Sequence, residues 1–183
     1  MEARELVILI ADELKEFDST RPVFKDFNPG IGPFGEPQLI QNLARLLVNR
    51  GHKASTARTP DLMIDQEWAL EFKIVRPFGD NGKEAEDWSV NLLHPYRGNV
   101  SAIGDAFKLI DYKGNLRKAV FVIGFEHNPS KISLDPLFDS FELIAKSVCK
   151  LSLGKKIEER RDNLVHPIHQ VVRCVFWEVL KDD

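Results

Sequence analysis

Residues 59–76, TPDLMIDQEWALEFKIVR, constrain the fold more than any other part of the chain. Residues 68–75 are rich in aromatic and branched side chains, and residues 61–65 form a shorter run of the same kind, so two adjacent strands are predicted. Side chains alternate between the faces of a strand, which places Glu71 and Lys73 on one face of the second strand. A carboxylate and an ammonium group therefore stand on a strand whose other face is apolar.

The side chains on that apolar face are Leu70, Phe72 and Ile74, which can pack against a helix. Whether Asp61 joins Glu71 depends on the turn between the two strands. A turn with three loop residues would pair residue 65 with residue 69 and place Asp61 opposite Lys73, on the Glu71 face. A two-residue turn would place Asp61 on the other face unless a bulge corrected it. Both turns remain open at this point.

Hydrophobic periodicity and the positions of proline and glycine predict the remaining elements. Pro37 suits the first position of a helix and Gly51 the residue after its end. The stretch 19–37 has four prolines and three glycines, which indicates a loop. The predicted elements are helices at 2–17, 37–50, 100–111 and 135–151, and strands at 52–58, 61–65, 68–75, 118–125 and 168–180.

This order of elements predicts an α/β fold. From about residue 36 to residue 125 it reads helix, three strands, helix, strand, which indicates a mixed β-sheet flanked by helices, with extra N- and C-terminal elements. In the helix at 100–111, Ile103, Phe107 and Ile110 are expected to lie on one side. A length of 183 residues suits one domain, 1–183.

Composition and charge are those of an ordinary globular protein. Hydrophobic residues make up 43% and charged residues 29%, and the net charge of −3 provides no overall basic field. A nucleic-acid site needs only a local positive surface, so that class of partner stays open. The two cysteines, Cys149 and Cys174, suit a reducing compartment. The apolar run 6–10 is too short to span a bilayer, so we expect a cytoplasmic protein without a membrane partner.

The carboxylates of Asp61 and Glu71, together with a backbone carbonyl, would form an all-oxygen site of the kind that Mg²⁺ prefers. A metal ion there can polarise a phosphoryl oxygen and lower the pKa of a bound water. Lys73 beside it would orient the attacking water or stabilise negative charge on the phosphate. These are the requirements of phosphodiester hydrolysis. The alternative is that Glu71 and Lys73 belong to a solvated strand face.

Glu36 precedes Pro37, where Ser, Thr, Asp or Asn would usually cap the helix. A negative charge is favourable at a helix N-terminus, which is one explanation of Glu36. The other is that Glu36 belongs to the same site as Asp61 and Glu71. The sequence leaves both explanations open.

Pro60-Asp61, a spacer of nine residues and then Glu71-Phe72-Lys73 resembles the motif of the PD-(D/E)xK nuclease superfamily. That superfamily includes many type II restriction endonucleases, Holliday-junction resolvases and repair nucleases. The resemblance implies a restriction-endonuclease-like core, αβββαβ, over about residues 36–125. It also implies that Asp61, Glu71 and the Phe72 carbonyl bind metal and that Lys73 is catalytic. Many members add a glutamate from the helix before the strands, and Glu36 occupies that place as a further catalytic or metal-binding residue.

The resemblance further implies a Mg²⁺-dependent endonuclease, with Mn²⁺ as a possible substitute, that acts on double-stranded DNA as a homodimer. Restriction or another defence role is the first expectation, and DNA repair is the second. Some members carry a glutamine and a tyrosine on the helix after the third strand, but residues 100–111 contain no glutamine. Lys108 or the preceding loop would then contact phosphate.

The preceding loop, NLLHPYRGN, contains His94, Tyr96 and Arg97. Arginine can bind phosphate and tyrosine can stack on a base, so these residues are candidate substrate contacts. The alternative is a turn fixed by Pro95 and Gly98.

Outside this region, a lone histidine such as His127 is more often structural. His166 and His169 lie three residues apart, without a cysteine or further histidine spaced to complete a zinc site. The charged segment 155–162 is expected to be solvated surface, with contact to a duplex backbone as the alternative.

Three functional hypotheses therefore stand: a metal-dependent DNA endonuclease, a catalytically silent nuclease-like module that binds nucleic acid or supports assembly, and an α/β domain that acts on another phosphorylated substrate.

Overall fold

A computed structural model describes residues 1–98 and 100–181. The helices are α1 (Ala3–Ser19), α2 (Glu36–Asn49), the short α3 (Val90–Leu93), α4 (Ala102–Asp111) and α5 (Asp135–Leu143), which continues as a π-helical turn at Ile144–Val148. The strands are β1 (Ala54–Thr56), β2 (Leu62–Ile64), β3 (Trp68–Val75), β4 (Arg117–Glu126), β5 (Ile157–Arg161) and β6 (Val171–Glu178).

The strands form one six-stranded mixed sheet in the order β1-β2-β3-β4-β6-β5. Strands β3 and β4 are parallel, and every other neighbouring pair is antiparallel. A parallel pair needs a long crossover connection, and the chain between β3 and β4 supplies it with α3 and α4. The expected mixed sheet flanked by helices is confirmed.

Helices cover both faces of the sheet. Leu70, Phe72 and Ile74 pack with the apolar residues of α1 and α2, as their alternation along β3 predicted. Ala69 and Val75 point the other way, into a second cluster with residues of α3, α4 and α5. Burial on both faces explains why β4 reads as an almost continuous apolar run.

Most of the predicted elements are present, with shifted ends. Strand β3 has the predicted bounds, and β6 confirms the strand expected at 168–180. The strand expected at 52–58 is reduced to β1, which pairs only with residues 62–64 of β2. The predicted apolar side of α4 is only partly buried. Ile110 is 40% exposed, and the positions beside Ile103 are filled by Ala102, Ala106 and Leu109, because the helix is rotated toward its small residues.

Strand β5 was not predicted, because its sequence, IEERR, has too few apolar residues to show alternation. It pairs with β6 at the edge of the sheet, where charged side chains protect an open strand from pairing with another chain. Arg161 binds Asp12 of α1 at 2.8 Å, and Arg160 binds Asp162 at 2.7 Å. The expectation of a merely solvated segment is therefore corrected, and its two arginines are already paired.

Among the helices of the described chain, none combines the length and the apolar composition needed to cross a membrane.

Phe72 is fully buried on the α1/α2 face, and its ring centroid lies 5.0 Å from that of Phe121 on β4. We expect Phe72→Ala to lower the free energy of unfolding by about 3–5 kcal/mol, because it removes a large core side chain and leaves a cavity. Leu143→Ala is the control, since Leu143 is 65% exposed, and it should change stability by less than about 0.5 kcal/mol. Urea unfolding of both variants measures the difference. Equal losses would contradict this assignment of faces.

Candidate functional site

The turn between β2 and β3 decides where Asp61 lies. Ile64 pairs with Trp68, so the turn has the three loop residues 65–67. Asp65 and Gln66 reverse the chain with positive φ angles of 53° and 57°. Asp65 is held there because its carboxylate accepts a hydrogen bond of 2.8 Å from the backbone N–H of Lys53.

The loop length matches the first of the two predicted turns, but the register differs from the predicted one. The pairing of Leu62 with Leu70 continues to Asp61 opposite Glu71, whereas the prediction placed Asp61 opposite Lys73. The difference arises because Asp65 belongs to the turn and not to the strand. A shift by two residues preserves the face, so Asp61 still lies on the Glu71 side of the sheet.

Strand β2 stops short of the end of β3 and leaves backbone groups of β3 without a strand partner. Two carboxylates accept hydrogen bonds from these backbone groups in place of a strand. Asp61 Oδ2 accepts a hydrogen bond of 2.8 Å from the Phe72 N–H, and Glu36 Oε2 accepts one of 2.9 Å from the Ile74 N–H. In a strand the N–H and C=O of one residue point to the same side, so the Phe72 carbonyl also faces this edge.

Glu36 is the first residue of α2, and Gly35 precedes it as the cap without a side-chain hydrogen bond. The Glu36 carboxylate is turned toward β3, where it binds the Ile74 N–H and lies 3.3 Å from Lys73 Nζ. The structure thus joins Glu36 to the β3 residues. Its place near the helix N-terminus, which was the other explanation, holds at the same time.

Lys73 stands between two carboxylates. Its Nζ atom lies 3.3 Å from Glu36 Oε1 and 3.0 Å from Asp105 Oδ2. Burial lowers the pKa of the Lys73 ammonium, but Glu36 and Asp105 outweigh that effect and raise the pKa. Lys73 is therefore a positive charge held in a fixed position.

Asp105 was missed by the sequence analysis. It lies on α4, is 1% exposed, and binds Lys73 and, at 2.5 Å, Lys108 Nζ. Ser101 fixes the start of this helix, because its hydroxyl accepts a hydrogen bond of 3.1 Å from the Gly104 N–H. A sequence signal did exist: an aspartate on the side of the helix that carries Ala102 and Ala106 is rarely buried without a charged partner.

Glu71 is the least satisfied carboxylate of the cluster. It is 2% exposed, and its Oε1 atom has no hydrogen-bond partner within residues 1–98 and 100–181. Burial, followed by the charges of Asp61 and Asp105, raises the pKa of the Glu71 carboxyl to about 8. Burial likewise raises the pKa values of Asp61 and Glu36 above their ordinary range.

This arrangement fits a divalent cation. Glu71 and Asp61 are neighbouring oxygen donors that are buried and repel each other, and a bound cation would offset both penalties. Asp61 uses only Oδ2 to hold β3, so Oδ1 is left for another partner. Both oxygens of Glu36 are engaged, one with Ile74 and one with Lys73, so Glu36 is less suited to direct coordination.

The loop residues predicted to contact substrate, Arg97, His94 and Tyr96, make contacts with α4 and within the loop. Arg97 binds Asp111 at 3.3 Å and stacks over Phe107 at 4.7 Å, so its charge is engaged at the C-terminal end of α4. The rings of His94 and Tyr96 meet edge to face at 5.2 Å. Lys108 is the one substrate candidate that the structure brings to the carboxylates, through Asp105.

A cleft of about 440 Å³ opens beside the carboxylates, and Glu36 and Asp61 belong to its lining. Gln41 of α2 and Arg58 are among its other lining residues, and Arg58 is exposed. A second cleft shares Gln41 and Thr56 with the first and continues along α2 and β1 past Arg45. Neither Arg45 nor Arg58 has an ion-pair partner among the residues described, so both positive charges face the groove unpaired.

Comparison with known proteins gives no relative: no family model, no curated protein and no solved structure matches the chain.

The raised pKa of Glu71 makes a prediction about stability. A carboxyl with an ordinary pKa of 4.5 that rises to about 8 on folding binds a proton more tightly in the folded state. Stability of the metal-free protein therefore falls as pH rises from 4.5 to 8. Glu71→Gln removes the buried charge, and we expect it to stabilise the metal-free protein by about 1–3 kcal/mol near pH 8 and to have little effect near pH 4.

Urea unfolding in the presence of a chelator at the two pH values measures this effect. Glu142→Gln is the matched control. The hydrogen bond from Lys146 lowers the pKa of Glu142. Removing the Glu142 charge should therefore leave the stability of the protein unchanged or lower it near pH 8. A Glu71→Gln variant that is less stable than the natural protein at pH 8 would refute the buried-charge interpretation.

Proposed function

We propose that this protein is a metal-dependent nuclease that hydrolyses phosphodiester bonds, with double-stranded DNA as the expected substrate. One observation carries the proposal: the buried, unsatisfied Glu71 carboxylate lies beside Asp61 and on the same strand as the charged Lys73. An ordinary solvated strand face would not hold a carboxyl 2% exposed with a pKa near 8. The solvated alternative is therefore disfavoured.

The arrangement of elements supports the same proposal. Apart from the short α3 between β3 and α4, the order α2, β1, β2, β3, α4, β4 agrees with the αβββαβ order of the restriction-endonuclease-like core that the motif resembles. Asp61 directly precedes β2, and Glu71 and Lys73 lie on β3, so the motif residues come together at one part of the sheet. We accordingly propose that core for residues 36–125.

Asp61 and Glu71, with the Phe72 carbonyl, would hold Mg²⁺ or Mn²⁺, since all three donors are oxygens on one edge of β3. Such an ion supplies Lewis-acid activation of the phosphate and of a bound water. Glu36 receives a different role from the ligand role that the resemblance implied. With its two oxygens on Lys73 and Ile74, it positions the lysine and the end of β3.

Lys73 is the residue of the chain best placed to act on the scissile phosphate. Its pKa is raised, so it is an ammonium group at neutral pH. It can donate hydrogen bonds to the attacking water or to a non-bridging oxygen on which charge develops. Asp105 binds Lys73 from α4 and Glu36 binds it from α2, so two helices fix the direction of that donor before substrate binds.

The groove along α2 and β1 supports a polyanionic substrate. Arg58 lies in the cleft that Glu36 and Asp61 also line, and Arg45 lies in its continuation. Unpaired arginines along one groove suit phosphate contacts that position a strand without reading its sequence. The proposal thus moves the main phosphate contacts from Arg97 and its loop to Arg58 and Arg45.

Cleavage of both strands of a duplex needs two such sites, and we propose a homodimer as the active form. The role remains restriction or defence first and repair second, as the resemblance implies. The competing function is a silent nucleic-acid-binding or assembly module. The presence of Asp61, Glu71 and Lys73 together disfavours it, because a decayed site usually lacks one of its members.

Cleavage tests the proposal directly. With plasmid and with linear, single-stranded and branched DNA as substrates, we expect cleavage of at least one form that depends on Mg²⁺ or Mn²⁺. Lys73→Ala and Glu71→Ala should lower the rate at least about 100-fold, because each removes transition-state stabilisation. Lys146→Ala, a lysine paired with Glu142 on the π-helical turn, is the control and should cleave normally. Full activity of Lys73→Ala or Glu71→Ala would rule out the assignment.

Metal binding separates a nuclease from a silent module. A ligand that binds only the folded state raises the melting temperature, so Mg²⁺ or Mn²⁺ should stabilise the natural protein. Asp61→Ala should abolish that stabilisation, whereas Asp139→Ala, an exposed aspartate on α5, should leave it unchanged. A shift that persists in Asp61→Ala would place the bound ion elsewhere.

The groove makes a prediction about salt. Each phosphate contact contributes a slope of about −0.9 to the logarithm of duplex affinity against the logarithm of salt concentration. Arg58→Ala and Arg45→Ala should each weaken DNA binding and reduce that slope by about one. Arg4→Ala is the control, because Arg4 pairs with Glu159 on the opposite edge strand. Unchanged slopes in both groove variants would exclude the groove as the phosphate track.

A further inference from the structure

A second polar cluster lies outside the carboxylate site. His166 and His169 come from the connection between β5 and β6, and their rings stack with centroids 4.6 Å apart. Both residues are almost fully buried, at 0% and 1% exposure. Asp80, from the loop after β3, brings a carboxylate whose Oδ1 atom lies 3.5 Å from His169 Nδ1.

One atom of each residue is buried and unsatisfied. His166 Nε2, His169 Nδ1 and Asp80 Oδ1 have no hydrogen-bond partner in the described part of the chain. Atoms of these three side chains lie within 4.8 Å of one another. A buried polar atom without a partner is costly, and three that converge on one point indicate a shared ligand.

The other nitrogen of His169 has a defined role. His169 Nε2 lies 3.0 Å from the Phe78 carbonyl oxygen, to which it donates its proton. The neutral ring then has its lone pair on Nδ1, directed into the cluster. A histidine that donates one N–H to a carbonyl while the other nitrogen faces a shared point is the usual arrangement of a metal ligand.

His166 needs a tautomer change. Its Nδ1 atom accepts hydrogen bonds from the backbone N–H groups of Ile168 and His169, each 3.2 Å long, so Nε2 carries the proton in the metal-free protein. A cation at Nε2 requires the proton to move to Nδ1. The cost exceeds the loss of two long hydrogen bonds, because Nδ1–H and the two backbone N–H groups would then face one another without an acceptor. The free energy of metal binding has to outweigh this cost.

Gly32 and charged side chains surround the cluster. Gly32 packs against the His169 ring, and a Cβ atom there would lie 2.3 Å from His169 Nδ1, so a side chain at position 32 would clash with this nitrogen. The Asp18 carboxylate lies on the His166 side, where it binds the Ile31 N–H at 3.0 Å. It contributes a second negative charge beside Asp80, while Arg76 contributes a positive one. The balance remains favourable to a cation.

We propose that Asp80, His166 and His169 form a binding site for a divalent transition-metal ion of the Zn²⁺ class, separate from the carboxylate site. Two imidazoles and one carboxylate are ligands that suit Zn²⁺ or Co²⁺ and not Mg²⁺. Ligand atoms on a tetrahedral Zn²⁺ lie about 3.3 Å apart, so His166 must move inward slightly while Asp80 and His169 nearly have that spacing already. A water molecule would complete the four ligands that Zn²⁺ prefers.

Such an ion would join two distant parts of the chain. The loop that leaves β3 provides Asp80, and the connection from β5 to β6 provides both histidines. The ion would thereby fix the loop that follows Arg76, whose side chain donates a hydrogen bond to the Phe34 carbonyl just before Glu36.

Co²⁺ titration tests the site in a variant that lacks the carboxylate site, Asp61→Asn/Glu71→Gln. We expect one Co²⁺ per chain with the visible absorption of a tetrahedral nitrogen-and-oxygen site. Zn²⁺ should displace it and excess Mg²⁺ should not. Because both carboxylates of the proposed nuclease site are absent, failure here leaves the proposed function untouched.

Asp80→Asn in the same background removes one ligand with little change of shape, and Asp80 is partly exposed, so folding should survive. Affinity for Co²⁺ should fall at least about tenfold. Glu84→Gln, an acidic residue of the same loop, is the control and should bind as before. Absence of the tetrahedral spectrum, or Co²⁺ binding that is unchanged by Asp80→Asn, would overturn the proposal.

Discussion

The end of strand β2 is the constraint on which the candidate site depends. Beyond Leu62 no strand partner remains for that side of β3, and the N–H groups of Phe72 and Ile74 need acceptors. Asp61 and Glu36 provide them. Since a buried N–H without a partner is costly, the same hydrogen bonds that complete the sheet also hold two carboxylates beside Glu71 and Lys73. The same carboxylate oxygens therefore complete the hydrogen bonding of β3 and set the geometry of the site.

This arrangement has an electrostatic free-energy cost. Glu36, Asp61, Glu71 and Asp105 crowd around Lys73 and Lys108, and burial with mutual repulsion raises the pKa of Glu71 to about 8. A fold under no functional demand would replace such a carboxyl with an apolar residue, because an unpaired buried charge destabilises the folded state. The site resembles functional sites generally, where perturbed pKa values concentrate. A divalent cation would offset much of this repulsion.

Strands β3 and β4 and the second helix could be predicted because their patterns are set by burial, which the sequence records directly. The register of Asp61 could not, since it depends on two residues, Asp65 and Gln66, that take left-handed conformations without being glycine. Asp105 was missed because a helical pattern shows which side is apolar, not which polar residue a lysine from another element will reach. Strand β5 was missed for a related reason: its charged residues are matched by partners on α1 and β6, far away in sequence.

Anomalous diffraction from a crystal of the natural protein grown with Mn²⁺ is the most direct measurement of the central claim, that Asp61 and Glu71 together hold a divalent cation. We predict a Mn²⁺ peak within about 2.0–2.4 Å of a carboxylate oxygen of each residue, with the Phe72 carbonyl facing it. Mn²⁺ bound elsewhere, with Asp61 and Glu71 free of the ion at saturating concentration, would contradict the claim.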